Sequence, residues 1–358
     1  MNASENKKGI LSRVLDIVYK FADIICFVLL SASLVWLCLF PTPNYPKNIY
    51  ISENALLPGQ IETTFGGESN YVQNRMLNLR TLIDNKDQGW ANELMTIFDE
   101  FGIESEKSTD NELLTTVHAI VRATRADTVE SLAITTSTIT TCNKSNSNGV
   151  ELLLSLAKHF ADQNYWSKDI VFVFSDKGED GIYKWLQLQN LVLENELNHK
   201  HRVSGLQAAL SIELPPSSSY SDFALYYEGK NGQLPNLDLP NIVKEIFSYN
   251  RFSTFHHGNF NCDLESNDIK GQINRYLCVS YGLLENMKWL AFGTSVGTHA
   301  PFLEFRIDAL TIRGIPNDSM NSTDPATLIR LGSYAHRSIL ANSRDSYAKT
   351  HIPDDSSP

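Results

Sequence analysis

The sequence has little of what marks several common function classes. Its 358 residues carry 30 Lys and Arg against 41 Asp and Glu, so no basic excess is available to neutralise nucleic-acid phosphates. The 5 cysteines make an odd count, with no CxxC and no zinc-finger spacing. The sequence also has no cysteine–histidine pair suited to nucleophilic catalysis and no internal repeat. These absences argue against a nucleic-acid partner, a zinc finger and a cysteine nucleophile.

One long apolar run is present near the N-terminus. Residues 21–40 contain a single charge, Asp23, and about twenty helical residues span the hydrocarbon core of a bilayer. A cleaved signal peptide is the alternative, but its apolar core is usually shorter. Basic residues precede the run and only Lys47 lies close behind it. We therefore predict a transmembrane helix at 21–40, a cytosolic segment at 1–20 and a lumenal or extracellular remainder.

A second apolar run organises the rest of the chain. Residues 170–174, IVFVF, are β-branched or aromatic, which predicts a strand buried on both faces, as in parallel sheets. Chemistry in such sheets lies at the carboxyl ends of the strands. Here that end carries Asp176, Glu179 and Asp180 among glycines. We interpret Asp176 as a turn residue, and for the other two we weigh a metal or acid–base role against a solvated turn.

Periodicity predicts further elements on both sides of this strand. Two amphipathic helices are expected within 68–101, with Gly102 as a C-cap. The other predictions are strands at 112–125, 131–139, 206–214, 224–227 and 302–312, and helices at 149–160, 239–247 and 273–292. This alternation predicts an α/β fold, a mixed, largely parallel central sheet flanked by helices and preceded by one transmembrane helix. We expect the domain over 41–316, and a linker with an amphipathic tail over 317–358.

The order of strands and helices resembles the di-zinc aminopeptidase fold. That resemblance implies a His-x-Asp after an early strand, a bridging Asp in the next loop, acids after the following strands and a late His. In this sequence the early strand ends in Thr135, Thr136, Ser137 and Thr138, and the loop at 143–148 has no carboxylate. A bridged pair of zinc ions therefore cannot form here.

Part of such a ligand set remains. Glu179 or Asp180 follows the central strand, Glu213 stands where an Asp is expected, and His299 is the candidate for the late His. These residues could hold one divalent metal ion, the single cofactor that the sequence suggests. The alternatives are a strand-end charge at Glu213 and a loop histidine bonded to backbone at His299.

Two further histidines, His256 and His257, are adjacent in the sequence. Side chains of neighbouring residues in an extended segment point in opposite directions, so we expect these two not to chelate together. We expect both at the surface.

Sequons and cysteines bear on the compartment. Asn143, Asn317 and Asn321 lie in N-x-Ser/Thr sequons beyond the apolar run and are candidate glycosylation sites. The three cysteines beyond the run cannot all pair with one another, so one internal disulfide at most is expected. These features do not choose between the endoplasmic reticulum and the cell surface.

Four long stretches of the sequence resemble the GPI-attachment subunits of the GPI transamidase, an endoplasmic reticulum membrane complex. They are YISENA at 50–55, YWSKDIVF at 165–172, EGKNGQLPNLDL at 228–239 and LEFRIDALTIRGI at 303–315. The resemblance covers most of residues 10–315. It implies a catalytically degenerate, aminopeptidase-like lumenal domain. It also implies a separate cysteine-protease-like subunit that cleaves the C-terminal signal of a proprotein.

The resemblance also indicates where a glycolipid would bind. Tyr50, Ser52, Glu53 and Asn54 follow the apolar run by about ten residues, at the height of lipid headgroups, where Tyr and Ser can donate to phosphate and sugar oxygens. The alternative is a turn that docks the domain on its anchor. Family members carry further membrane helices after this domain; none follows Gly314 here, and we interpret 328–351 as the remnant of the helix leading to them.

Three functional hypotheses follow. The leading one is a non-catalytic, endoplasmic reticulum membrane subunit that binds the GPI glycolipid, the proprotein signal and the other transamidase subunits. The enzyme alternative is a mono-zinc metallopeptidase or peptide synthetase, with Glu179 as base and Glu213 and His299 as ligands. The third is a receptor-like glycoprotein ectodomain at the cell surface.

Overall fold

A computed structural model describes residues 19–42, 65, 68–109, 114–124, 129–164, 166, 168–194, 203–249, 252–257 and 269–317. The chain divides into two compact units, which are described separately. One comprises residues 1–50 and 261–285, and the other comprises residues 51–260 and 286–358.

The helices of the described residues are α1 (Ala22–Leu39), α2 (Glu68–Arg75), α3 (Leu77–Asp84), α4 (Trp90–Phe101), α5 (Ser147–Ala161), α6 (Glu179–Glu194), α7 (Asp238–Tyr249), α8 (Ile269–Phe292) and α9 (Ala300–Glu304). The strands are β1 (Glu104–Thr109), β2 (Thr115–Val121), β3 (Glu130–Ser137), β4 (Asp169–Ser175), β5 (Gly205–Glu213), β6 (Tyr220–Tyr226), β7 (Ser253–His256) and β8 (Asp308–Pro316).

The eight strands found among the described residues form one sheet, in the order β1-β2-β4-β3-β5-β8-β6-β7. The central neighbours β4, β3, β5 and β8 are parallel, as are β6 and β7 at one edge. The pairs β1–β2, β2–β4 and β6–β8 are antiparallel. The mixed, largely parallel sheet predicted from the sequence is confirmed.

Strand β4 lies inside the sheet with every residue buried, as its run of β-branched and aromatic residues predicts. Successive side chains of a strand point to opposite faces. Phe172 and Phe174 accordingly join the core beneath α4 and α5, where the rings of Phe98 and Phe174 lie 5.7 Å apart. Val171 and Val173 join a smaller core beneath α6 and α9. Helices therefore cover both faces of the sheet.

Helix α4 ends as its sequence predicts. Its buried residues follow the 3.6-residue period, and Gly102 adopts a left-handed conformation (φ 70°) that ends the helix. The region 68–101 forms three helices rather than the two predicted, because a turn at Met76 divides the first of them into α2 and α3.

The predicted strand at 302–312 is wrong in its first half. Residues Ala300–Glu304 form the short helix α9, with Pro301 in its first turn, where its missing N–H costs nothing. The strand begins at Asp308. Two edge strands were not predicted, because the β1 sequence ESEKST is polar and β7 is only 4 residues long.

The smaller unit contains α1 and the part of α8 that ends at Glu285. Among the described residues, α1 is the one helix long and apolar enough to cross a membrane, with a mean hydropathy of 2.3 and none of its residues buried. The Tyr276 hydroxyl donates to the Cys38 carbonyl at 2.7 Å. Cys278 is disulfide-bonded, whereas Cys142 of the larger unit is a free thiol. The predicted helix near the N-terminus is thus present, while the domain boundaries and the membrane orientation stay predictions.

Candidate functional site

A cleft of about 310 Å³ lies where β3 and β4 end. Ser137 and the loop at 139–143 form one side, and the turn from Asp176 to Glu179 forms the other. This is the carboxyl edge of the parallel strands, where ligands of open α/β sheets bind. Gly178 has a φ of 56°, which favours glycine and lets the turn pass beside Thr298.

Asp176 is more than a solvated turn residue. Its Oδ2 accepts a hydrogen bond from the Thr115 N–H at 3.1 Å. Its Oδ1 is buried without a hydrogen-bond partner among the described residues. Burial raises the pKa of this carboxyl, although the Thr115 N–H and the charge of Lys177 act in the opposite direction. Asp176 is therefore a carboxylate held partly desolvated at the cleft.

Glu179 and Asp180 begin helix α6 and have different surroundings. Glu179 is half-buried, with Oε1 lying 3.3 Å from Lys230 Nζ and 3.4 Å from Ser295 Oγ. Lys230 also pairs with Glu304 at 2.7 Å. Burial raises the pKa of Glu179, and the partnership with Lys230 offsets part of that rise. Asp180 is exposed.

Glu213 is fully buried at the end of β5 and is paired with a cation. Arg313, its register partner on β8, places both Nε and Nη2 at 2.9 Å from Glu213 Oε2. The Thr141 hydroxyl donates to the same oxygen at 3.2 Å. The Arg313 guanidinium also lies over the Tyr226 ring, 4.5 Å from its centroid. Glu213 is thus neither a surface charge nor a free carboxylate.

His299 is buried and uses both ring nitrogens. Nδ1 lies 2.8 Å from Thr311 Oγ1, and Nε2 donates to the Glu228 carbonyl at 3.0 Å. Burial lowers the pKa of this imidazole to about 4, so the ring is neutral at pH 7. A metal ion could use this side chain only by replacing one of these hydrogen bonds.

Neutral polar residues occupy the C-terminal end of β3 and the loop that follows it. The Asn146 amide donates to Thr136 Oγ1 at 2.9 Å and to the Ser137 carbonyl at 2.7 Å. Its Oδ1 accepts from the Leu214 N–H at 2.8 Å. Asn146 therefore joins the ends of β3 and β5 at a point where the sequence places no carboxylate.

A different group of residues meets the geometric requirement for a metal. Among the described residues, Glu228, His256 and His257 are the one set of three such side chains whose ligand atoms all lie within 4.8 Å of one another. The prediction of a metal at Glu179, Asp180, Glu213 and His299 stays a prediction. A metal at these residues would have to displace Arg313 from Glu213 and Lys230 from Glu179.

The expectation that His256 and His257 point apart and lie at the surface is wrong. His257 has a φ of 56°, which breaks the alternation of an extended segment, and both rings turn toward Glu228. The two side chains are only 18% and 9% exposed. A positive φ at a histidine leaves no mark in the sequence, so this group could not be predicted.

Of the remaining predicted site residues, some lie outside the described residues and the others are exposed. The proposed glycolipid residues Tyr50, Ser52, Glu53 and Asn54, like Asn321, lie outside the described residues. Asn143 and Asn317 are exposed, as glycosylation requires. Asn143 Oδ1 accepts from Lys86 Nζ at 3.3 Å, and Asn317 Nδ2 donates to Ser219 Oγ at 3.1 Å.

The sheet order and the helices on both faces define an α/β protein of the aminopeptidase-like fold. A crystal structure of the Legionella pneumophila LapA aminopeptidase aligns with a TM-score of 0.50 and 10% identity, covering 77% of this chain and 72% of that chain. At this identity the likeness shows the fold alone.

Sequence comparison identifies the family. The model of the family described as "Gaa1-like, GPI transamidase component" matches residues 114–339, and this chain belongs to that family. The GPI transamidase component gaa1 of Schizosaccharomyces pombe is 29% identical over 311 residues, 80% of this chain and 52% of that protein. Its Saccharomyces cerevisiae counterpart is 23% identical over 337 residues, 92% of this chain and 51% of that protein. The chain thus spans about half the length of these curated relatives.

Proposed function

We propose that this chain acts in GPI-anchor attachment as a non-catalytic subunit of the GPI transamidase, binding the GPI glycolipid and its partner subunits. The partners include a cysteine-protease-like subunit that cleaves the C-terminal signal of the proprotein. Membership of the Gaa1-like family supports the role in the complex.

The electrostatics at the carboxyl edge of the sheet support a holding role rather than hydrolysis. Glu213 is bound by Arg313, and Glu179 pairs with Lys230. Asn146, a neutral amide, joins the ends of β3 and β5. A hydrolytic metal needs carboxylates free to ligate it and an open position for water. The pairing of Glu213 with Arg313 is the structural observation that favours this proposal most.

We place the protein in the endoplasmic reticulum membrane, with α1 as its anchor, the N-terminus cytosolic and the larger unit lumenal. The apolarity of α1 and the basic residues before it support this orientation. Glycans at Asn143, Asn317 and Asn321 would mark the lumenal side. The Asn143→Gln variant should lose one glycan's share of the endoglycosidase-sensitive mass shift, and Asn2→Gln, the cytosolic control, should lose none; an unglycosylated chain contradicts this orientation.

The glycolipid would bind at Tyr50, Ser52, Glu53 and Asn54, directly after the anchor. Changing Tyr50 and Ser52 together to Ala is expected to weaken crosslinking to a photoreactive GPI analogue, because both side chains are proposed headgroup donors. Unchanged crosslinking would place the headgroup elsewhere.

The subunit assignment is tested by affinity purification of the full chain from detergent-solubilised endoplasmic reticulum membranes, followed by mass spectrometry. The other transamidase subunits are expected to co-purify, and the lumenal unit is expected to hydrolyse no aminoacyl substrate. Recovery of the chain without any transamidase subunit would contradict the assignment.

A mono-zinc metallopeptidase or peptide synthetase is the second candidate. It is favoured by the raised pKa of Glu179, because a general base works best with a pKa near the working pH. It predicts a zinc-dependent aminopeptidase rate that is lost in Glu179→Ala. Elemental analysis that finds zinc below about a tenth of an equivalent, together with the lack of such a rate, rules it out.

A further inference from the structure

The strand pair β6–β7 brings Glu228 beside His256 and His257, which lie 28 and 29 residues away in the sequence. The two strands run parallel, and Leu225 pairs with His256. Glu228 follows the end of β6, and His257 follows the end of β7. The topology therefore places two histidines beside one glutamate at a single edge of the sheet.

The three side chains converge on one point. His257 Nε2 lies 3.0 Å from Glu228 Oε2, and His256 Nε2 contacts Glu228 Oε1. Each residue offers one ligand atom, and the three atoms all lie within 4.8 Å of one another. Metal bonds of about 2.0–2.2 Å to nitrogen and oxygen hold neighbouring ligand atoms a little over 3 Å apart, so a metal ion needs only small side-chain movements here.

The surrounding aromatic residues hold these rings in place. The His257 ring stacks on Trp289 with a centroid distance of 4.5 Å and an interplanar angle of 2°. Tyr226 meets the same ring edge-on at 4.8 Å, and Tyr227 lies 4.6 Å from the His256 ring. The Glu228 side chain is 3% exposed, so the carboxylate is already desolvated. Ligands fixed in this way lose little freedom when they bind a metal.

The chemistry of the donors selects the class of metal. Two imidazole nitrogens and one carboxylate oxygen are the donors that suit Zn²⁺ and its first-row neighbours, whereas Mg²⁺ and Ca²⁺ prefer oxygen alone. With neutral histidines the group carries one negative charge in a buried place, which a divalent cation would neutralise. Three protein ligands also leave a fourth position open to water or another small ligand.

We propose that Glu228, His256 and His257 form a binding site for a divalent first-row transition metal, with Zn²⁺ as the expected occupant. The metal would tie the segment after β6 to the segment after β7. The proposed ligands do not include Glu179, Glu213 or His299, although His299 Nε2 donates to the backbone carbonyl of Glu228 at 3.0 Å. It stands independently of the role proposed for the chain in GPI attachment.

Metal titration of the full chain in detergent tests the proposal. After chelator treatment and dialysis, the wild-type protein is expected to take up about one equivalent of Zn²⁺ by elemental analysis. Co²⁺ is expected to give the visible absorption of a low-symmetry, four-coordinate site. Glu228→Gln, His256→Ala and His257→Ala should each lose this signal, whereas Glu179→Gln and Asp180→Asn should keep it.

A wild-type measurement covers the case in which a variant fails to fold. Zn²⁺, but not Mg²⁺, should slow the modification of His256 and His257 by diethyl pyrocarbonate at least severalfold, as read by peptide mass spectrometry. Two results would overturn the proposal. One is less than a tenth of an equivalent of bound metal with no protection of the two histidines. The other is metal that persists in a folded Glu228→Gln variant and disappears in Glu179→Gln.

Discussion

Arg313 and Glu213 stand opposite each other on the parallel strands β8 and β5, and the guanidinium Nε donates to the buried carboxylate at 2.9 Å. This pair determines whether Glu213 is available as a metal ligand at the carboxyl edge of the sheet. The sequence alone offers Glu213 as a metal ligand. In the fold its charge is already balanced by Arg313, and Arg313 is in turn positioned by the Tyr226 hydroxyl at 3.0 Å.

Removing the positive charge of Arg313 should lower the free energy of unfolding. Arg313→Met leaves the Glu213 carboxylate buried without its partner, and such changes typically destabilise by about 3–5 kcal/mol. Urea unfolding of the full chain in detergent measures this loss. Adding Glu213→Gln to Arg313→Met should recover part of it, because no charge then remains to be buried. Arg75→Met, which breaks the exposed pair with Glu100, is the matched control and should change the midpoint little.

Asp176 should make the stability depend on pH in a defined direction. Because burial raises its pKa in the folded chain, the folded state binds the proton more tightly than the unfolded state. Its contribution to stability is therefore present at low pH and is lost as the pH rises through the folded-state pKa. Asp176→Asn should raise the free energy of unfolding at pH 7, and this gain should shrink as the pH falls toward 4.

A second variant checks the cause of that trend. Lys177 lowers the pKa of Asp176, so Lys177→Gln should enlarge the advantage of the asparagine variant at pH 7. Urea midpoints measured between pH 4 and pH 7 report both effects. A gain from Asp176→Asn that is constant with pH would show that desolvation of the carboxylate is not the reason.

The parts of the fold that could be predicted are those that depend on local pattern. The apolar run at 170–174 predicts β4, and Gly102 predicts the end of α4, because burial period and backbone freedom are properties of the sequence itself. The strand predicted at 302–312 failed in its first half, since the apolar residues of α9 are equally suited to a short buried helix. Periodicity cannot separate these two cases over so few residues.

The candidate sites were harder to predict because they depend on contacts between distant residues. Glu213 and Arg313 are 100 residues apart, and their pairing follows only from the register of β5 and β8. His256 and His257 meet Glu228 because of one left-handed backbone conformation. By contrast, the lack of carboxylates at 143–148 is visible in the sequence alone.

The two ends of α4 offer a paired test of backbone conformation. Gly102 has a φ of 70° with nothing within 4 Å of an added Cβ, so Gly102→Ala meets strain without any clash. We expect it to destabilise the protein by roughly 1–2 kcal/mol, the usual cost of a left-handed residue with a Cβ. Gly89 has a φ of −64°, and Gly89→Ala should stabilise by about 0.4–1 kcal/mol through the unfolded state. Equal effects of the two substitutions on the urea midpoint would show that backbone strain is not the cause.

Replacing Asn146 by Asp, the residue type expected for a bridging metal ligand, should destabilise the protein. In Asn146→Asp both amide donors are lost, and a carboxylate oxygen faces the Ser137 carbonyl, which accepts at 2.7 Å in the wild type. Losing these buried hydrogen bonds and adding a charge should cost about 2–3 kcal/mol in the free energy of unfolding. Asn92→Asp is the control, because Asn92 is exposed in the first turn of α4, where the helix dipole favours an acid. If Asn146→Asp unfolds at the same urea concentration as the wild type and Asn92→Asp, the amide of Asn146 does not join the ends of β3 and β5 as described.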